Sequence, residues 1–155
     1  MGGNARILVV DDDENIRKVL MRILEDEGYM VDTAKTGKEA VEKSRTKFYN
    51  LALIDIRLPD MEGVELLTKI RDTTPKMRKI IITGYPTLKN AVEAVNKGAD
   101  AYIMKPFDMK ELLSKIKEQL KKQREEKKYS EEKVKEFIET RVRELEKAPQ
   151  FRKKR

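Results

Sequence analysis

Residues 51–63 read LALIDIRLPDMEG, an apolar run that passes directly into an acidic residue and then into a loop. The four apolar residues Leu51–Ile54 are too few for a helix but enough for a strand buried on both faces, as in a parallel sheet. Asp55 follows without a spacer, and Pro59 and Gly63 are typical loop residues. This stretch therefore predicts a buried strand with a carboxylate at its carboxyl end.

The same pattern, a short apolar run followed by residues at helical spacing, recurs on both sides of this strand. The predicted strands are Ile7–Val10, Tyr29–Ala34, Leu51–Ile54, Ile80–Ile82 and Ala101–Met104. A predicted helix follows each strand, and glycines are placed to end two of these helices. Five such units in about 120 residues predict an α/β domain with a doubly wound, five-stranded parallel sheet.

Polar residues that do not fit the core pattern fall where the predicted strands end. They are Asp11, Asp12 and Asp13 after the first strand, Asp55 after the third, Thr83 after the fourth and Lys105 after the fifth. The carboxyl ends of parallel strands share one edge of a sheet. In the order 2-1-3-4-5, the first and third strands are neighbours at the point where the order reverses. The acids of both strands are therefore expected to converge on one pocket.

A pocket of several carboxylates without histidine or cysteine favours a hard divalent ion, Mg²⁺ or Mn²⁺, because like charges repel unless a cation neutralises them. Lys105 supplies a positive charge and Thr83 a hydroxyl donor for a phosphoryl group. Asp55, at the centre, can act as a nucleophile that forms an aspartyl phosphate. Phosphoryl transfer needs mainly positioning and charge neutralisation, which these groups can provide. Asp13 is expected only to cap the helix that follows.

Composition excludes several other kinds of site. The chain has no cysteine and no histidine, which excludes disulfides, zinc–histidine centres, Ser-His-Asp hydrolysis and a phosphohistidine within it. Its longest apolar runs are four residues, far below the length that spans a membrane. We therefore expect a soluble, cytoplasmic protein with no membrane partner. The net charge of +7 is uneven, because residues 1–120 carry 21 basic and 20 acidic side chains whereas residues 121–155 carry 14 and 8.

Four stretches together resemble the receiver domain of bacterial and archaeal response regulators. They are Ile7–Asp12, Leu53–Gly63, Ile82–Gly84 and Tyr102–Phe107. The resemblance covers roughly residues 5–122 in the right order and at the right strand ends. It implies a flavodoxin-like fold and a signalling phosphoprotein of a two-component phosphorelay, not an enzyme.

The resemblance also implies roles for individual residues at the strand ends. Asp55 would be the phosphoacceptor. Asp12, Asp55 and the backbone carbonyl of Arg57 would bind Mg²⁺ directly, while Asp11 would assist through water. The phosphate would come from a sensor histidine kinase or a phosphotransfer protein.

Three further residues have implied roles around the phosphoryl group. Thr83 and Lys105 would contact it, and Tyr102 would be the aromatic side chain that turns inward with Thr83 on activation. The family usually has a cis peptide bond at the position of Lys105–Pro106.

A phosphatase is an alternative, because Val9–Asp13 also matches the opening motif of haloacid-dehalogenase-type phosphatases. Asp11 would then be the nucleophile and Asp13 the acid. Against this, Glu14-Asn15 replaces the small or hydroxyl residues expected next, and no acidic pair follows a later strand. The segment Asp55–Gly63 would also be left without a role.

The predicted domain covers residues 1–122, and residues 123–155 are expected to form a basic amphipathic helical tail. Ser130 resembles a helix N-cap with two glutamates after it, which predicts a break or restart there. Beyond it, five apolar residues lie at helical spacing before Pro149, and they are Val134, Phe137, Ile138, Val142 and Leu145. A short helix with one apolar stripe is marginal alone. The stripe can fold back on the domain, but we favour a symmetric homodimer through the fifth helix and the tail.

The basic tail raises one more alternative, a phosphorylation-controlled regulator that binds DNA. The cluster Phe151–Arg155 is of the kind that neutralises phosphates. However, no recognisable DNA-reading motif fits into residues 121–155, and glutamates interrupt the lysines throughout. A solvated charged helix is the favoured interpretation, and a nucleic-acid partner is not expected.

Overall fold

The computed structural model describes residues 5–84 and 87–147. The strands are β1 (Arg6–Val10), β2 (Met30–Ala34), β3 (Leu51–Asp55), β4 (Arg78–Thr83) and β5 (Ala101–Met104). The helices are α1 (Glu14–Asp26), α2 (Gly37–Thr46), α3 (Gly63–Lys69), α4 (Leu88–Asn96) and α5 (Met109–Lys147). The predicted alternation of strands and helices is confirmed.

The five strands form one parallel sheet in the order β2-β1-β3-β4-β5, which confirms the predicted fold class. Val10 pairs with Ile54 across β1 and β3, and Asp55 pairs with Ile82 across β3 and β4. The strands therefore end level with one another. Polar residues just beyond them share one edge, called here the carboxyl edge.

The sheet is buried on both faces, and alternate residues of each strand point to opposite layers. On one face Leu8, Ile54 and Ile81 belong to the core that α2, α3 and α4 cover. On the other face Leu53 and Ile80 belong to the core that α1 and the first part of α5 cover. This double burial explains why the strands read as unbroken apolar runs rather than as an alternating pattern.

At the opposite edge of the sheet, called here the amino edge, the buried side-chain amide of Gln123 pairs with the half-buried amide of Asn50. Gln123 is 3% exposed, and its side-chain nitrogen donates hydrogen bonds to the backbone carbonyls of Asn50 at 2.9 Å and Lys76 at 2.7 Å. The Asn50 side chain donates to the Gln123 side-chain oxygen at 3.1 Å and accepts from the backbone N–H of Arg6 at 2.9 Å. These bonds join β1, β3 and α5 at the amino edge.

The last helix does not break where the sequence predicted. α5 continues from Met109 to Lys147 through Ser130, so the predicted N-cap and restart at that residue are wrong. Serine inside a helix lowers helix stability by only about 0.5 kcal/mol relative to alanine. A restart would require a second, costly helix nucleus. No glycine or proline lies between residues 121 and 147 to force one.

The described residues divide into two compact units, one ending at Gln123 and the other beginning at Arg124. In the second unit the side chains of Val134, Phe137, Ile138 and Val142 are all more than 45% exposed. The predicted helix end before Pro149 and the basic cluster Phe151–Arg155 lie outside the described residues. Within the described part of the chain, no helix is both long and apolar enough to cross a membrane.

Candidate functional site

Three carboxylates meet at the carboxyl edge, as the strand ends predicted. Asp11 follows β1, Asp12 is its neighbour in the chain, and Asp55 is the last residue of β3. One oxygen from each carboxylate lies within 4.8 Å of the other two. Asp11 is buried, Asp55 is half-buried and Asp12 is exposed. The site therefore contains one desolvated carboxylate, Asp11, and two carboxylates, Asp12 and Asp55, that solvent and ligands can reach.

Asp11 is held firmly at the base of this cluster. Its side chain accepts a hydrogen bond from the backbone N–H of Asp13 at 2.9 Å, and its backbone carbonyl accepts one from the guanidinium of Arg17 at 2.7 Å. Burial is the main cause that raises the pKa of Asp11, and the nearby Asp55 carboxylate adds to it; against the opposing effects of the Asp13 N–H and Lys105, the resulting pKa is about 6. The cluster therefore carries a desolvated negative charge at neutral pH.

Lys105 is the cation that faces the acids. Its Nζ atom is 3.7 Å from Asp55 Oδ2 and 3.9 Å from Asp11 Oδ2. Its backbone N–H donates to the Thr83 carbonyl at 2.7 Å, which fixes the turn after β5 beside the end of β4. The predicted cis peptide bond at Lys105–Pro106 is confirmed. Lys105 offers one positive charge to three carboxylates, so it cannot neutralise the cluster by itself.

The other predicted site residues, Thr83, Arg57 and Tyr102, differ in their burial and in their contacts. Thr83 is fully buried at the end of β4, where it pairs in register with Met104. The backbone N–H of Arg57 donates to Asp55 Oδ1 at 3.3 Å, so its peptide is beside the central acid. Tyr102 is instead partly buried against the core that α2, α3 and α4 cover, and its hydroxyl has no hydrogen-bond partner among the described residues.

An open cavity of about 410 Å³ lies over the cluster, and its lining includes Asp12, Asp55, Arg57, Gly84 and Lys105. The donor set fits a hard divalent ion, because it consists of carboxylate oxygens with an excess of negative charge and contains no sulfur or imidazole. The cavity leaves room beside Asp55 for a phosphoryl group. The arrangement suits phosphoryl transfer to a carboxylate.

Two contacts at the site were not predicted from the sequence. Arg17 reaches back from the second turn of α1 to the Asp11 carbonyl, and Asp60 holds the loop after Asp55 to the start of α2. Arginine and aspartate at these positions read as ordinary surface charges. Asp60 is 22 and 23 residues from its partners Lys38 and Gly37. No local spacing rule could have paired them.

Comparison with known proteins agrees with this site and fold. The family model of the response regulator receiver domain matches residues 7–117. The crystal structure of a CheY-like response regulator receiver domain protein from Methanospirillum hungatei JF-1 is 52% identical, with a TM-score of 0.76, over 80% of this chain and 99% of that one. Response regulator TrrA from Thermotoga maritima, solved with Mg²⁺ and beryllofluoride, is 37% identical, with a TM-score of 0.66, over 74% of this chain and 98% of that one.

Among curated proteins, response regulator ArlR from Staphylococcus saprophyticus is 40% identical over 120 residues, which are 76% of this chain and 53% of that protein. The chain spans between about a quarter and about half of the length of the curated relatives it matches first. The similarity therefore concerns their receiver portion.

Proposed function

The chain belongs to the response regulator receiver domain family, and on that premise we propose that Asp55 is its phosphoacceptor in a Mg²⁺-dependent phosphorelay. Members of this family are signalling proteins rather than classic enzymes. The observation that carries the proposal is the position of the Asp55 carboxylate. It lies within 4.8 Å of Asp11 and Asp12 oxygens and 3.7 Å from Lys105 Nζ, beneath an open cavity.

Asp11, Asp12, Asp55 and the backbone carbonyl of Arg57 would hold the divalent ion, Mg²⁺ or Mn²⁺. The ion would supply positive charge to the oxygens of the phosphoryl group. The acid cluster supports this assignment because its excess negative charge favours a cation. TrrA, at 37% identity, was solved with Mg²⁺ and beryllofluoride.

In the proposed reaction, a carboxylate oxygen of Asp55 attacks phosphorus and forms the aspartyl phosphate. The bond from phosphorus to the donor breaks, and the donor atom keeps the electron pair. Lys105 neutralises a phosphoryl oxygen, and the Thr83 hydroxyl donates a hydrogen bond to another. Tyr102 would then change its side-chain position together with Thr83.

Response regulators receive phosphate from sensor histidine kinases. These 155 residues contain no histidine, so a phosphohistidine donor must lie outside them. We propose a sensor histidine kinase or a phosphotransfer protein as the partner, with the exchange taking place in the cytoplasm.

Intact-mass measurement tests the acceptor assignment. With acetyl phosphate and Mg²⁺, the wild-type protein should gain one phosphoryl group, and both Asp55→Asn and wild type in a chelator should gain none. Asp108→Asn, which alters an exposed acid, is the matched control and should be phosphorylated like wild type. An equal gain on wild type and Asp55→Asn would contradict the proposal.

The phosphatase alternative is not favoured. Its nucleophile would be Asp11, which is buried, and its acid would be Asp13. Asp13 instead caps α1, because its Oδ1 accepts the backbone N–H groups of Asn15 at 2.8 Å and Ile16 at 3.2 Å. The capping role predicted for Asp13 is confirmed.

The output of the switch is proposed to be self-association through the fifth helix and the tail. Residues 124–147 carry eight basic and eight acidic side chains, so this part of the helix is neutral. Its exposed apolar stripe includes Phe137 and Ile138, at 71% and 54% exposure. A neutral helix with an apolar stripe suits a second copy of itself better than a polyanion such as DNA.

Solution mass with and without beryllofluoride, a phosphoryl mimic, tests this output. Ile138→Lys places a charge in the stripe, and Glu139→Lys places the same residue on the charged face as a control. Beryllofluoride should raise the dimer fraction of wild type and Glu139→Lys but not of Ile138→Lys. If wild type stays monomeric in both states at tens of micromolar, the dimer proposal fails while the phosphoacceptor proposal is unaffected.

A further inference from the structure

The loop that follows Asp55 is a small hairpin rather than an open connection. The N–H of Gly63 donates to the Ile56 carbonyl at 2.7 Å, and the N–H of Leu58 donates to the Met61 carbonyl at 3.1 Å. Arg57 and Glu62 form an antiparallel bridge between these two bonds. The tip of the hairpin is therefore the pair Pro59-Asp60, with proline at a position that favours a tight turn.

The tip of this hairpin is attached to the first turn of α2. Asp60 Oδ1 accepts the backbone N–H of Gly37, and Asp60 Oδ2 accepts that of Lys38, both at 2.9 Å. These two hydrogen bonds lower the pKa of Asp60, even though the residue is exposed. The carboxylate thus caps a helix that lies more than 20 residues earlier in the chain.

A second contact brings the same two segments together. A methyl group placed on Gly37 would lie 2.5 Å from the sulfur of Met61, the residue next to Asp60. α2 has its own local cap as well, because the Thr36 hydroxyl accepts the N–H of Glu39 at 3.0 Å. Asp60 is therefore an additional cap, and what it adds beyond Thr36 is the attachment of the hairpin.

The base of the hairpin is continuous with the phosphoacceptor. The N–H of Arg57 donates to Asp55 Oδ1 at 3.3 Å. A methyl group on Gly63 would overlap the Asp55 carbonyl oxygen, so the returning arm of the hairpin passes directly against the backbone of the acceptor. The hairpin thus holds the Arg57 peptide between a fixed base and an attached tip.

From these contacts we propose that Asp60 is a positioning residue for the divalent ion. By fixing the hairpin tip to α2, Asp60 would hold the Arg57 backbone, and with it the carbonyl assigned to the ion, in the hairpin conformation. The inference rests on the proposed function, which assigns that carbonyl to the ion. Groups that orient a metal ligand typically change metal affinity by about 10-fold or more when removed.

The experiment compares two variants of the full chain that each lose one cap of α2. Asp60→Ala loses the hairpin attachment and Thr36→Ala does not, although both are expected to lower the melting temperature. Calorimetric titration should show Mg²⁺ binding weakened about 10-fold in Asp60→Ala and unchanged in Thr36→Ala. Amide hydrogen exchange at Leu58 and Gly63 should be faster in Asp60→Ala only. Asp60→Asn, which keeps one acceptor oxygen, should be intermediate and replaces the alanine variant if that fails to fold.

Equal Mg²⁺ affinity in Asp60→Ala and wild type, or an equal loss in Asp60→Ala and Thr36→Ala, would overturn the positioning role. In either case wild type would still bind Mg²⁺, and the proposed function would stand. Absence of Mg²⁺ binding to wild type would overturn both.

Discussion

Both edges of the sheet carry polar residues at the strand ends. At the amino edge these residues pair with one another, whereas at the carboxyl edge acids of the same charge lie together. At the amino edge, Gln123 and Asn50 are aligned donor to acceptor, and Gln123 also donates to the Lys76 carbonyl. At the carboxyl edge, Asp11 and Asp55 face each other beside one lysine. Donors and acceptors that pair within the chain stabilise the fold, whereas like charges held together need a ligand from outside.

The amino edge should therefore contribute mainly to folding stability, and the carboxyl edge mainly to ion binding. Changes at the amino edge should cost folding free energy and leave ion binding intact. Changes at the carboxyl edge should weaken ion binding and, where the acid is buried, stabilise the apo protein. Active sites commonly carry such strain, because the arrangement that suits the ligand is not the one that suits the empty fold.

The largest effect is expected at the amino edge. Gln123→Leu should lower the free energy of unfolding by about 2–4 kcal/mol, because it leaves the half-buried Asn50 side chain and two backbone carbonyls without their partner. Urea unfolding measures this, with the exposed Lys121→Leu as a control of the same helix. A loss no greater than that of Lys121→Leu would show that the hydrogen bonds of Gln123 contribute little to stability.

The hydrogen bonds of the amino edge could not be predicted from the sequence. The apolar runs predicted each strand, and the acids after them predicted the carboxyl edge, because both signals are local. Gln123 and Asn50 lie 73 residues apart, and neither differs in the sequence from a surface amide. Their pairing depends on how α5 packs on the sheet, which periodicity does not specify.

The same limit applies to the candidate site and the tail. Asp11, Asp12, Asp55 and Lys105 could be placed together because parallel strands end at a common edge. Asp60 could not, since its partners belong to a helix that the loop meets only in the folded domain. The break predicted at Ser130 failed for the opposite reason, because a local capping signal was given more weight than the continuing helix propensity around it.

A smaller effect is expected from the pH dependence of the wild-type protein in a chelator. Burial raises the pKa of Asp11 to about 6 from an ordinary 3.8, so the folded state holds the proton more tightly than the unfolded state. The resulting stability is present at low pH and is lost as the pH rises through 6. Asp32 and Asp60, whose pKa values are lowered, are already ionised above pH 5 in both states.

Between about pH 5 and 7, Asp11 should therefore make the free energy of unfolding fall by about 1–2 kcal/mol. Urea unfolding at several pH values measures the slope, and Asp11→Asn should remove it. A wild-type stability that rises over this interval would contradict the raised pKa of the buried Asp11.

The smallest effect is expected at Asp12, the exposed member of the acid cluster. Asp12→Asn should change the stability of the apo protein by less than about 0.5 kcal/mol, because solvent screens its charge. It should nevertheless weaken Mg²⁺ binding, which titration calorimetry measures. A stability gain as large as that of Asp11→Asn would mean that exposure does not distinguish the two acids.

The most direct test of the contrast is the free energy of unfolding of Asp11→Asn and wild type at pH 7.5, each measured in a chelator and in excess Mg²⁺. In the chelator the variant should be more stable than wild type by about 1–3 kcal/mol, because the amide removes a desolvated charge and keeps the shape. Mg²⁺ should then stabilise wild type and leave the variant nearly unchanged. A variant that is less stable than wild type in the chelator, or that gains as much from Mg²⁺, would contradict the account.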